Sequence, residues 1–154
     1  ILLAMILITV LGNGVINVIL AIGIASVPGF ARVTRGQVLI VKEEEYCNAC
    51  RVVGVSPVRL LFLHILPNCV SQIIVYATLR IASAIISEAS LSFLGLGIAL
   101  PTASWGSILR VGRDCLTTAP HVAGTAGAFI LVTVIGFNLL GDGIRDVMDP
   151  KMKQ

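Results

Sequence analysis

Few residues of this chain have the type and spacing to do chemistry. Cys47 and Cys50 form a Cys-x2-Cys pair, half of a zinc or redox site, but no second pair or nearby histidine cluster completes it. No metal is expected. The phosphate-binding pattern GxxxxGK[ST] is absent, and Gly95-x-Gly97 follows an apolar run without the strand-to-helix context of a dinucleotide site. No cofactor is expected, and the chain itself should not bind ATP. Glu88 is the residue to single out first, because a carboxylate within a long apolar run costs about 2.5 to 3.5 kcal/mol at membrane depth and normally faces protein or water. Ser83, Ser87 and Ser90, at i, i+4 and i+7, add a small polar face that suits either close helix packing or a hydrated pathway. Arg80 lies eight positions before Glu88, about 12 Å along a helix, so each needs its own partner. A lone glutamate with no nucleophile, HExxH motif or second acid at the same depth does not make an enzyme.

The elements that must position these residues are membrane-spanning. Of 154 residues, 56% are hydrophobic and 12% charged, and the mean hydropathy is +0.99; these values mark an integral membrane protein. With only 5% aromatic residues, the apolar mass is Ile, Leu, Val and Ala, the composition of transmembrane helices rather than of a β-barrel. An all-α polytopic bundle follows, with three full spans and one partial span.

Residues 1–11 are apolar from the first position, lack an initiator Met and fall short of the roughly 20 needed to cross a bilayer. An upstream portion is therefore expected to be missing. Gly12-Asn13-Gly14 signals a turn, and residues 15–30 form a span that makes a tight hairpin with the first run. Residues 31–68 make a charged loop, 69–97 a span, 98–120 an external loop with the single Trp105, and 121–141 the last span. Gly141-Asp142-Gly143 reads as a helix stop before a polar tail, 142–154. Ala123/Gly127 and Gly124/Ala128 are small-xxx-small pairs, a signature of close helix approach.

Charge orients this arrangement. The 31–68 island holds Arg32, Arg35, Lys42, Arg51 and Arg59, the tail Arg145, Lys151 and Lys153, and the intervening loop only Arg110 and Arg113. Under the positive-inside rule island and tail face the cytoplasm, and the parity of two intervening spans demands the same. The net charge of +3 follows from this topology and does not argue for a nucleic-acid partner; the expected surroundings are membrane lipid. Cys69 and Cys115 fall on opposite sides and cannot pair, as do His64 and His121.

Within the island, residues 43–53 suit a helix with Tyr46, Ala49, Cys50 and Val53 on one apolar stripe, broken by Gly54. A second helix starts at Ser56-Pro57, where Ser caps and Pro takes the first position, and runs through Arg59 to His64 before Pro67. Two readings stand: an amphipathic hairpin lying on the membrane surface as a connector, or a docking knob.

Asn48-Ala49-Cys50-x3-Gly54, followed by Leu66-Pro67, resembles the EAA loop of ABC-importer permeases. Pro28-Gly29-Phe30-Ala31-Arg32-Val33-x-Arg35-Gly36-Gln37-Val38-Leu39, Ser90-Leu91-Ser92-Phe93-Leu94-Gly95-Leu96-Gly97, Ser104-Trp105-Gly106 and Asn138-Leu139-Leu140-Gly141-Asp142-Gly143-Ile144-Arg145-Asp146 resemble the second permease of dipeptide, oligopeptide and nickel importers. The likeness covers essentially the whole chain. It implies the fold of an ABC-importer permease in a bacterial-type inner membrane, with a cytoplasmic helix-Gly-helix coupling loop. It also implies a second permease subunit as heterodimer partner, separate ATP-binding subunits that hydrolyse ATP, and an extracytoplasmic solute-binding protein that delivers peptides, nickel chelates or related small solutes. Glu45, Asn48, Ala49, Cys50, Arg51, Gly54, Leu66 and Pro67 are the ATPase-coupling residues under this resemblance, and Ser83, Ser87, Glu88 and Ser90 the pathway or packing residues. Asn48 stands where the motif usually has Glu, Cys50 where it has a second Ala, and His64 where it has Ile. The competing reading is a structural or assembly membrane protein, or a permease fragment that no longer works.

Overall fold

The computed structural model describes residues 1–98 and 101–148, so Lys151 and Lys153 of the tail lie outside the described residues. Among those described, every regular element is helical. The order is α1 (Leu2–Leu11), α2 (Val15–Lys42), α3 (Glu45–Val52), α4 (Pro57–Leu60), a π-helical turn (Leu61–Ile65), α5 (Leu66–Phe93), α6 (Trp105–Asp114) and α7 (Pro120–Met148). The stretches Val15–Lys42, Pro57–Phe93 and Pro120–Met148 are long and apolar enough to cross a membrane. Only 6 to 17% of their most apolar windows is buried within this chain.

Several helices run further than the sequence suggests. Residues 31–42 belong to α2 rather than to a loop: Arg, Gln, Leu and Lys form helix well, so the change in composition there marks the end of the apolar surface, not of the helix. Pro28 sits inside the same helix. At the other end Gly141-Asp142-Gly143 does not stop α7, which continues to Met148. Neither glycine takes a positive φ, so the left-handed cap a glycine stop requires never forms. The Ser71 hydroxyl instead donates to the Met148 carbonyl at 3.3 Å.

By contrast α5 ends before residue 97, at Phe93. Gly95 takes φ 83°, its N–H donates to the Ser92 carbonyl and the Leu96 N–H to the Leu91 carbonyl. These two bonds are the Schellman closure of a helix. The segment 98–120, expected as a loop, contains α6, whose Ser104 and Ser107 form a reciprocal capping box.

The described residues gather into two compact units. The first comprises Ile1–Val27 and Leu79–Leu139. Here α1 and α2 do form the expected hairpin: Gly12 has φ 84°, Asn17 Nδ2 donates to the Leu11 and Gly12 carbonyls that α1 leaves open, and Ala4, Ile8, Val18, Ala21 and Leu91 form the core. Gly106 brings α6 onto α5, where an added Cβ would lie 2.7 Å from the Ala89 Cα and the Ser92 Cβ. Gly112 brings α6 onto α7, with the Ala123 nitrogen 2.7 Å from such a Cβ. Of the small residues singled out on α7, Ala123 thus packs, but against α6; an added Cβ on Gly124 or Gly127 would meet nothing within 4 Å. The second unit is Pro28–Thr78 with the chain from Leu140 onward. Its core is Cys47, Leu60, Ile65 and Cys69, supported by Val38, Val41, Cys50, Val55 and Ile73, and Gly29 admits the Tyr76 side chain, whose ring meets Phe30 edge-on at 4.9 Å.

Candidate functional site

The island between α2 and α5 builds a helix-turn-helix from its own residues. After Lys42 the chain reverses at Glu43 and Glu44, and α3 starts with Glu45 in its first turn, the end where a carboxylate opposes the helix dipole favourably. Arg51, at the far end of α3, donates from Nη1 to Asn48 Oδ1 at 2.8 Å and from Nη2 to the Lys42 carbonyl at 3.2 Å. One guanidinium therefore braces α3 against the open C-terminus of α2, and Asn48 holds it in place.

Gly54 makes the reversal. Its φ is +83°, its N–H donates to the Arg51 carbonyl at 3.0 Å, and the Val55 N–H donates to the Cys50 carbonyl at 3.1 Å. This is a second Schellman closure, complete with its hydrophobic contact, because Val55 and Cys50 both pack on the island core. Pro57 then occupies the first position of α4, as expected. Pro67 does not end the second helix as expected. The ring has no N–H to give the Leu63 carbonyl and would crowd it in an α-turn. The backbone widens into the π-helical turn Leu61–Ile65 and runs on as α5. Asn68 Nδ2 donates to the His64 carbonyl at 2.7 Å and to Tyr46 Oη at 3.2 Å, tying α5 to α3. Leu66 is half-buried and Pro67 exposed. The Tyr46 phenol sits above its ordinary pKa, first through desolvation and then through its bond to Cys47.

Of its apolar stripe α3 buries only the Cys50 side. Cys47 is fully buried and Cys50 half-buried against Leu60, Ile65 and Cys69, whereas Tyr46, Ala49 and Val53 face outward. All four cysteines are free. The outward apolar stripe continues into the turn and the second helix: Val52 is 88% exposed, Val53 82%, Val58 67%, and Phe62 and Leu63 60% each. Exposed large apolar residues gathered within one short segment are candidates for a contact surface. Sequence periodicity found the stripe but cannot tell which of two apolar arcs a short helix buries.

The four candidate residues of α5 separate. Ser83 and Ser87 line a 180 Å³ cavity with Arg80 and Ser26. Ser90 lines a different, apolar cavity of 520 Å³ with Phe93, Leu109 and Ile130. Glu88 borders a third, of 330 Å³, beside Trp105 and Ser104, and its Oε1 accepts the Ser92 hydroxyl at 2.6 Å. The Ser83, Ser87 and Ser90 hydroxyls all donate back to α5 carbonyls. Arg80 finds a partner on another helix, as its isolation on α5 requires: Nη2 donates to Ser26 Oγ at 3.2 Å. Ser26 and Ser92 are polar positions that sequence reasoning missed, although a serine inside an apolar run was the available signal for both.

Compared with known proteins, the whole of residues 1–154 matches the family described as the binding-protein-dependent transport system inner membrane component. The glutathione transport system permease protein GsiD of Salmonella paratyphi A is 50% identical over 153 residues, covering 99% of this chain and 50% of that protein. The proteins of the same name from Escherichia coli O1:K1 / APEC and Shigella flexneri serotype 5b give the same identity and coverage. The chain spans about half the length of these curated relatives.

Proposed function

The chain belongs to the family of binding-protein-dependent transport system inner membrane components, and from that membership we propose that it serves a solute importer by coupling its membrane helices to a separate cytoplasmic ATPase. A transport permease, not an enzyme, is the class its family and its 50%-identical relatives define. The observation that carries the coupling role is the exposed apolar face of the island, Tyr46, Ala49, Val52, Val53, Val58, Phe62 and Leu63. A connector lying on the membrane would turn such a face to lipid, whereas a docking knob turns it to a protein partner. Set on a glycine-closed turn, it receives the ATPase and passes its closure on to the spans. Glu45, with Arg59 on the second helix, supplies charge at the rim. Asn48 and Arg51 are spent on bracing the knob, so the glutamate usual at position 48 is replaced here by an internal strut.

In this reading the island and the tail lie on the cytoplasmic side, a second permease subunit completes the pathway, and an extracytoplasmic binding protein delivers the solute. The solute class is short peptides and related small molecules, with a tripeptide of the glutathione kind supported by the names of the relatives. The test is Gly54→Trp in the full-length permease, assembled with its partners in proteoliposomes. Uptake and solute-stimulated ATP hydrolysis should both collapse while membrane insertion is retained. Unchanged uptake would remove the island from the mechanism.

A further inference from the structure

We infer that Glu88 and the cavity it borders form a subsite for the ammonium group of the transported solute, an inference that rests on the importer reading above. The cavity measures 330 Å³ and is lined by Glu88 of α5, by Ile98, Ala103 and Ser104 between the helices, and by Trp105 and Ile108 of α6. At about 30 Å³ per water it has room for the amino end of a short peptide. Glu88 lies near the end of α5 at Phe93. In the proposed topology that is the external end of the span, where a binding protein releases its solute.

Only one oxygen of the carboxylate is committed. Oε1 accepts the Ser92 hydroxyl at 2.6 Å, and the Ser92 oxygen in turn accepts the Ile98 N–H at 3.2 Å, so the buried Ser92 fixes Glu88 against the turn that closes α5. Oε2 takes no hydrogen bond and Glu88 no ion pair among the described residues, yet Oε2 is not buried. It is an acceptor open to what enters the cavity. None of the described lining residues is basic, so nothing in this wall competes with a cation from the ligand. A carboxylate in an apolar span is costly and marks a functional position by default, and a bound cation offsets that cost. Trp105 adds a second attraction, because an indole face draws an ammonium placed within about 6 Å of the ring. Its ring is set in place by stacking on Phe129 of α7, with centroids 6.3 Å apart and planes 8° from parallel, and by the Ser104–Ser107 capping box at the start of its helix. A carboxylate and an indole in one apolar wall recognise an ammonium and not its neutral acylated form, and the free α-ammonium is the cation every unblocked peptide carries.

The experiment uses the full-length permease–ATPase complex purified in detergent, with an Ala103→Cys reporter at the exposed edge of the cavity. Modification of the reporter by methyl methanethiosulfonate is followed by peptide mass over a titration of S-methylglutathione, which carries an α-ammonium and no thiol, or of its N-acetyl derivative, which has lost the ammonium. S-methylglutathione should slow labelling, and the concentration that gives half-protection should be about tenfold lower than for the N-acetyl derivative, the difference expected for one charge-assisted pair. Glu88→Gln keeps an oxygen to accept the Ser92 hydroxyl, so the turn should survive, but it should raise the half-protection concentration of S-methylglutathione about tenfold; Glu88→Asp should retain part of the affinity. The comparison of the two ligands stands on the wild-type side chain at 88 even if Glu88→Gln does not assemble. Equal protection by both ligands, protection by neither, protection unaltered in Glu88→Gln, or protection by added phosphatidylethanolamine, a lipid bearing the same ammonium, in place of the peptide would each overturn the subsite. Uptake of S-methylglutathione by the wild-type complex with its binding protein in proteoliposomes is measured alongside. Uptake without Glu88-dependent protection sinks the subsite alone, and absence of uptake sinks the importer reading.

Discussion

Replacing Gly54 by alanine isolates backbone strain at the island's reversal. A Cβ built at this position meets nothing within 4 Å, so the substitution removes no contact and adds no clash; what remains is the cost of holding an L-residue at φ +83°. That cost is about 1 to 2 kcal/mol, and it weakens the closed turn by about 5- to 30-fold. The amides that report it are those of Gly54 and Val55, which donate to the Arg51 and Cys50 carbonyls. Hydrogen exchange read by mass spectrometry on the detergent-purified protein should show a peptide covering these amides exchanging faster by that factor. A peptide covering α6 should be unchanged. Gly54→Asn should fall between glycine and alanine, because asparagine tolerates the left-handed region. Unchanged exchange in Gly54→Ala, or equal damage from Asn and Ala, would refute the assignment of the turn to a left-handed glycine cap.

Three further perturbations follow. Gly106→Leu should force α6 off α5, since the Ala89 and Ser92 atoms nearest its Cβ include backbone; the expected loss is about 1 to 3 kcal/mol, seen as a lower thermal midpoint in detergent. Ser104→Ala removes the side chain that accepts the Ser107 N–H at 3.2 Å and should cost about 1 kcal/mol, with faster exchange confined to the first turn of α6. Leu60→Ala, in the island core at 4% exposure, should destabilise the island by about 2 to 5 kcal/mol, whereas Val52→Ala at 88% exposure should leave its stability within about 0.5 kcal/mol; limited proteolysis between α3 and α4 would rank the two.

Much of this architecture is legible in the residues because membrane helices announce themselves by length and composition. The turn at Gly12-Asn13-Gly14 and the reversal at Gly54 were readable for the same reason: both rest on a glycine at positive φ. Helix ends were less readable where a residue's usual meaning depends on its surroundings. Pro67 commonly stops a helix, yet a π-turn absorbs it. Gly141 and Gly143 commonly cap one, yet the helix passes through them as far as Met148, whose carbonyl accepts the Ser71 hydroxyl. The α6 helix hid in a mixed segment because a short helix that packs on two neighbours through Gly106 and Gly112 shows glycines where a helix would ordinarily show alanine or leucine. The spread of Ser83, Ser87, Glu88 and Ser90 over three cavities is set by α2, α6 and α7, tertiary neighbours that no periodicity along α5 can reveal.

The coupling role proposed for the island is tested most directly by the affinity between the permease complex and the proposed ATPase. Val53→Asp sets a charge in the middle of the exposed apolar face, 82% accessible in the chain alone, so its own fold should be untouched while the contact suffers. A charge at the centre of such an interface costs about 2 kcal/mol or more, so the dissociation constant should rise about 30-fold, with thermal stability unchanged. An unaltered dissociation constant, in a variant that inserts and folds as the wild type does, would contradict the assignment of this face to the ATPase.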